Sequence, residues 1–254
     1  GFIGRIADDE FGRIFTHDIR SAGVEFDSKP VAGKAPTARS LILVTPDGER
    51  TMNTFLGISP ELDQGAVDPA MIARARVVYL EGYLFDRPEA KAAFRQAADL
   101  AGKAGAEVAL TLSDSFCVDR HRAEFLDLIK TRVDILFANE SEITSLYQTA
   151  SFDEAARRAR TDAKVAVLTR SGKGSLICSG DKAVTIAAVP GIKVVDTTGA
   201  GDLYAAGYLY GHATGKSLEM CGRLGSLAAA EVIGHLGARP EVPLARLAAD
   251  NGLA

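Results

Sequence analysis

The chain has 254 residues, 47% of them hydrophobic, enough to bury a large core near the upper size of one domain. A formal net charge of -4 leaves no basic stripe for nucleic acid, and no run approaches the ~18 apolar residues of a membrane span. Cys117, Cys178 and Cys221 form no C-x-x-C pair, which points to a reducing cytosol and against a disulfide framework, so small-molecule chemistry in a cytoplasmic protein is the expectation.

In chain order, Asp8 is placed to cap an amphipathic helix that packs Phe11, Ile14, Phe15 and Ile19 into the core and ends at Gly23. Residues 38–44 and 50–55 then read as a hairpin. Between them, Thr45-Pro46-Asp47-Gly48 suits a type I turn. From residue 76 the period settles: strands at 77–80, 108–112 and 133–137 alternate with helices at 88–104 and 122–129. Further strands at 165–168, 175–178 and 183–187 precede helices at 201–213 and 217–233. This alternation predicts an α/β fold with right-handed crossovers and a mainly parallel, doubly wound sheet, whose ligands gather at the C-terminal strand ends. No repeat or linker marks a second domain, so residues 1–254 read as one.

The chain turns on Asp196-Thr197-Thr198-Gly199-Ala200-Gly201-Asp202, set between an apolar run and a helix. Small residues leave the amides of Gly199, Ala200 and Gly201 bare, and the following helix aims its unsatisfied N–H groups and positive dipole end at the same point. That is an anion site. A carboxylate at its lip is electrostatically wasteful unless chemistry uses it, so Asp202 reads as a general base beside a phosphate. Asn139 and Glu142 have the spacing of a capping box after a buried strand. The histidines show no metal-site spacing, and no G-x-S-x-G elbow is present, so zinc and serine-triad chemistry drop out.

The run Asp196–Asp202 followed by Leu203-Tyr204-Ala205-Ala206-Gly207 resembles the signature of the ribokinase-like, or PfkB, family of carbohydrate and nucleoside kinases. The likeness extends over nearly the whole chain. It implies a ribokinase-like fold, ATP as phosphoryl donor and a hydroxyl acceptor. By the same resemblance Asn139 and Glu142 order magnesium through its waters, and Asp196 and Thr198 help to hold a potassium-like ion. Thr169, Ser171 and Gly174 match a nucleotide-binding T-x-G-x-x-G turn, with Ser171 where glycine is usual. The hairpin, about residues 37–56, resembles the family's lid over the acceptor, and Phe2-Ile3-Gly4 resembles the end of a family strand, as though an N-terminal segment preceded it. Ser113-Asp114-Ser115-Phe116 and the apolar Met52, Phe55 and Leu56 lean to the adenosine-kinase branch, with a sugar (ribose, fructose or 2-keto-3-deoxygluconate) as the alternative acceptor. A non-catalytic binding relative is the reading from another class, and the family leaves both monomer and homodimer open.

Overall fold

The first helix of the computed structural model, α1 (Glu10–Ser21), is capped by Asp9 rather than Asp8. Its carboxylate accepts the Gly12 N–H at 2.8 Å, and also the Thr37 N–H and hydroxyl at 2.8 and 2.7 Å. One group thereby satisfies three donors, an advantage only the fold could assign. The expected core face also divides. Phe15 packs against Phe2 and Phe26, with ring centroids 5.8 and 5.5 Å away, whereas Phe11 and Ile14 stay 48% and 50% exposed. The Phe11 ring lies instead against the Arg39 guanidinium, 5.6 Å from its centroid.

The structure describes residues 1–253, which fall into two compact units. One comprises Gly1–Ile42 with Met52–Val108; the other comprises Leu43–Thr51 and the chain from Ala109 onward. The first unit holds α1, the base of a hairpin β1 (Arg39–Val44) and β2 (Arg50–Phe55), then α2 (Pro69–Arg74), β3 (Val77–Glu81) and α3 (Pro88–Ala104). Helix α3 has its expected bounds. Gly105 takes the left-handed conformation that closes it (φ 74°), and Ala90, Ala93, Ala97 and Ala101 form its buried face. The hairpin turn closes as expected, Gly48 N–H donating to the Thr45 carbonyl at 2.9 Å.

The second unit is built on β4 (Glu107–Thr111) from Ala109 onward, β5 (Ile135–Asn139) and β6 (Val165–Thr169), adjacent and parallel, with Asn139 opposite Thr169. Residues 135–138 and 165–168 are buried on both faces, the mark of a central parallel strand covered by helices. Strands β7 (Ser175–Ser179) and β8 (Lys182–Ile186) extend the sheet antiparallel, because five residues between β6 and β7 are too few for a crossover. The result is a mixed ribokinase-like sheet flanked by helices.

Around it run α4 (Ser115–Thr131), α5 (Glu140–Tyr147), α6 (Phe152–Asp162), α7 (Ala200–Ala213), α8 (Leu218–Val232) and α9 (Leu244–Asp250). Helix α4 begins seven residues before its apolar period shows. Asp114 caps it by accepting the Phe116 N–H at 2.5 Å, and a non-helical His121 (φ −126°) breaks the period between the two halves. The apolar run at 192–195 forms no strand.

Helices α7 and α8 meet through glycine. A Cβ on Gly207 would stand 2.5 Å from the Leu224 carbonyl oxygen, and one on Gly225 would stand 2.7 Å from that of Tyr204. Neither obstacle is a side chain that can swing away, so the backbones pack at a distance only glycine allows. Gly207→Ala therefore costs about 1–3 kcal/mol, read as a lower urea midpoint at unchanged m-value.

Candidate active site

Helix α7 opens without a capping side chain. Its N-cap is Gly199, left-handed at φ 81°, where an added Cβ would come within 3.0 Å of Ala238. Glycine is needed there for both reasons. Gly201 differs: a Cβ would meet nothing within 4 Å, so its smallness keeps space open in front of the helix rather than permitting internal packing. The Ala200 N–H is partly engaged, donating to the Thr197 carbonyl at a long 3.3 Å. The opening turn thus presents polarised N–H groups toward open space, the requirement for receiving an anion.

Asp196 fixes that turn from below. Its Oδ1 accepts the Thr198 N–H and hydroxyl at 2.8 and 2.6 Å, and its Oδ2 accepts the Gly237 N–H at 2.9 Å. Burial by itself raises this carboxyl. The Thr198 hydroxyl, the N–H groups of Gly237 and Thr198 and the charge of Arg50 together outweigh burial and hold it below the ordinary carboxylate range. Both oxygens of Asp196 serve protein donors, which ties the loop at Gly237 to the turn at Thr198.

Asp202 sits on the first turn of α7, open to water yet surrounded by protein. That desolvation raises its carboxyl above the usual range, against the opposing charge of Arg50. Arg50 lies beside the hairpin turn and donates to the Thr197 hydroxyl at 2.5 Å, while the Gly48 carbonyl accepts the Thr197 N–H at 3.4 Å. A guanidinium thus joins a carboxylate and an uncapped helix start.

A second cluster occupies the C-terminal ends of β4, β5 and β6. Asn139 and Glu142 complete the expected capping box. Glu142 N–H donates to Asn139 Oδ1 at 2.9 Å, Asn139 N–H to Glu142 Oε2 at 2.9 Å, and the Asn139 amide to Glu142 Oε1 at 2.6 Å. Glu142 is 6% exposed. Burial first, then the neighbouring Asp114 charge, push its carboxyl up to about 7, although the Asn139 N–H lowers it. Two carboxylates with a half-solvated amide between strand ends suit a hydrated, oxygen-seeking cation such as magnesium.

On the next strand, Thr169 ends β6 and the turn 170–174 is closed by Arg170 N–H to the Gly174 carbonyl at 2.7 Å. Ser171 takes φ 50°, the left-handed region, which explains why glycine suits this position. Gly174 is fixed for a packing reason, since a Cβ would fall 2.0 Å from the Ile186 carbonyl oxygen. Arg170 lies 4.0 Å over the Phe152 ring and donates to Glu140 at 3.0 Å, tying this turn to the start of α5. The two clusters are joined indirectly. Tyr204, two residues past Asp202, shares a buried 2.5 Å hydrogen bond with Ser175, which faces Thr169 in the sheet.

The family model for pfkB carbohydrate kinases matches residues 1–245. The chain belongs to the pfkB family. It is 52% identical to an adenosine kinase from Sinorhizobium meliloti over 98% of this chain and 76% of that one, with a TM-score of 0.95. A probable sugar kinase from Rhizobium etli is 50% identical over 99% and 77%, with a TM-score of 0.97. An uncharacterised sugar kinase of Archaeoglobus fulgidus is 28% identical over 95% of this chain and 94% of its own length. This PfkB chain is accordingly a phosphotransferase with a hydroxyl acceptor, of the sugar or nucleoside kinase type. Among the described residues no helix is long and apolar enough to cross a membrane.

Arg50 is the site residue that sequence reasoning missed. It lies 147 positions from Thr197, and only the pairing of the hairpin turn with residue 197 gives it meaning. The influence of Asp114 on Glu142 likewise depends on two neighbouring strand ends.

Two expectations follow. In the unfolded chain Glu142 ionises near 4.5, while in the fold it holds its proton to about 7, so the fold binds more protons between those values and loses stability as pH rises through them. Urea unfolding from pH 4.5 to 7.5 should show wild type losing on the order of 3 kcal/mol more than Glu142→Gln. Ser171→Gly should raise the urea midpoint by about 0.5–1 kcal/mol equivalent, because it relieves a left-handed serine.

Proposed function

We propose that this chain transfers the γ-phosphoryl group of ATP to the 5'-hydroxyl of adenosine, with Asp202 as general base. The observation that carries the reading is Asp202 itself, a carboxylate of raised basicity on the opening turn of an uncapped helix, beside Arg50. A carboxyl tuned upward is a better proton acceptor at neutral pH. In the reaction, Asp202 takes the hydroxyl proton as the acceptor oxygen bonds to the γ-phosphorus. The bond from that phosphorus to the β–γ bridging oxygen breaks, and its electron pair leaves with ADP. The N–H groups of Gly199, Ala200 and Gly201 and the Arg50 guanidinium face the charge that builds on the transferring oxygens. Donors fixed in place before reaction are each worth about 3 kcal/mol of barrier.

Thr169, Ser171 and Gly174 form the turn that would lie against the nucleotide; Arg170 and Lys173 of the same turn both pair with Glu140, at 3.0 and 3.6 Å. Asn139 and Glu142, with Asp114, would hold magnesium through water. Bound there, the ion neutralises phosphate charge. Glu142 accepts two hydrogen bonds from Asn139, which orients both groups before any ion arrives.

The adenosine reading draws on the 52% identity with the Sinorhizobium meliloti adenosine kinase and on Met52, Phe55 and Leu56, exposed by 45–49% along and just after β2, which suit a purine more than a bare sugar. The 50% identity with a probable sugar kinase favours a sugar as the second reading. Against a non-catalytic role stand Asp202 and both flanking glycines, all present.

ADP release with Mg-ATP across adenosine, ribose, fructose and 2-keto-3-deoxygluconate discriminates the readings. Adenosine should turn over, and Asp202→Asn should lower kcat by about 10²–10⁴-fold. Arg50→Ala should lower it about 10–100-fold. Turnover of a sugar alone would remove the nucleoside assignment; ATP binding without turnover of any acceptor would remove the kinase.

A further inference from the structure

Loop 233–241, between α8 and the stretch before α9, touches the signature turn at several points. The Ile233 carbonyl accepts the Val195 N–H at 2.8 Å, the Gly237 N–H reaches Asp196 Oδ2 at 2.9 Å, and Ala238 stands against Gly199. Whatever holds this loop therefore holds the opening of α7.

The loop is closed by a charged cluster. Glu231, in the last turn of α8, sends Oε1 to the N–H groups of Glu241 and Val242 at 2.8 and 3.3 Å, so one carboxylate joins the two ends. Its side chain is only 9% exposed, and its Oε2 is buried without a hydrogen-bond partner. A buried carboxylate with an unmatched oxygen is costly unless a cation neutralises it. The cation at hand is His235, itself 14% exposed, whose Nε2 lies 3.4 Å from Glu231 Oε1 and whose Nδ1 lies 3.8 Å from Glu241 Oε1. Its Nε2 is likewise buried without a hydrogen bond that meets good geometry, which leaves charge as the attraction between the two groups.

We propose that the His235 imidazolium is a positioning residue: by neutralising Glu231 and Glu241 it holds loop 233–241 closed, and through Gly237 and Ala238 it sets Asp196, Gly199 and the opening of α7. The catalytic part of this inference rests on the kinase reading above; the structural part does not. The charged groups facing the imidazole are Glu231 from α8 and Glu241 from beyond the loop; Arg239 lies on the loop itself, and Asp196, with Arg50, is reached through Gly237. Burial lowers the His235 pKa, but the Leu236 carbonyl and the two glutamates outweigh it, so the ring keeps its proton above the ordinary histidine range. The brace is present below that raised value and is lost as pH rises through it.

Hydrogen–deuterium exchange on the intact chain, with rates corrected for the intrinsic effect of pH, tests this without substrate. The segment 195–203 should exchange about tenfold faster in His235→Gln than in wild type at pH 6, and the double variant His235→Gln/Glu231→Gln should recover part of the protection. Wild type should lose protection at the same segment between pH 6 and pH 8.5, a change that His235→Gln abolishes. Equal protection in wild type and His235→Gln, or a double variant no better than the single, would overturn the proposal. In Mg-ATP and adenosine turnover, His235→Gln should lower kcat about tenfold at unchanged KM for ATP. Should wild type fail to turn over adenosine, the nucleoside reading falls while the exchange result still judges the brace.

Discussion

A helix that begins without a cap leaves its first N–H groups unsatisfied, and the chain entering it must be held by other means. In α7 the means is Asp196, whose two oxygens accept three donors from Thr198 and Gly237. A Ser, Thr or Asp cap would stabilise the helix by about 1 kcal/mol but would fill the anion position with its own oxygen. Glycine at the cap leaves that position open and transfers the work of holding the turn to a buried carboxylate three residues upstream. Loop 233–241, the hairpin turn at Gly48 and the α7–α8 contact all bear on this arrangement.

The same economy recurs in how α7 is aimed. Glycine lets it approach α8 until a Cβ would touch carbonyl oxygen, and the buried Tyr204–Ser175 hydrogen bond anchors it on β7. Packing at backbone distance leaves little freedom to tilt, since protein interiors respond to even one added methylene. The direction of the helix start is therefore set by residues that touch no ligand.

Three carboxylates show how environment separates roles. Asp196 is buried but surrounded by donors, and is held below the usual range. Asp202 has few donors and is raised by desolvation against Arg50; Glu142 is raised by burial and by Asp114. The same carboxyl group is thus held low where donors surround it and raised where burial dominates.

By itself the sequence determined whatever short-range chemistry specifies: α3 between its proline and Gly105, the hairpin around Thr45–Gly48, the Asn139–Glu142 capping box, the alternation that makes the α/β sheet, and the signature from which the family was read. Each rests on residues within a turn or two of one another, where spacing and propensity act directly. Tertiary structure alone decided the rest. Asp9 won the α1 cap over Asp8 through Thr37, Phe11 stayed at the surface beside Arg39, and α4 began at Asp114 where no apolar period was visible. Arg50 met Thr197 across 147 positions, and Glu241 came back beside Glu231 and His235, only through the closure of hairpin and loop. In the long-range cases the deciding term is the pairing of a polar group with a partner brought near by packing, and that depends on three-dimensional distance, which local sequence pattern does not encode.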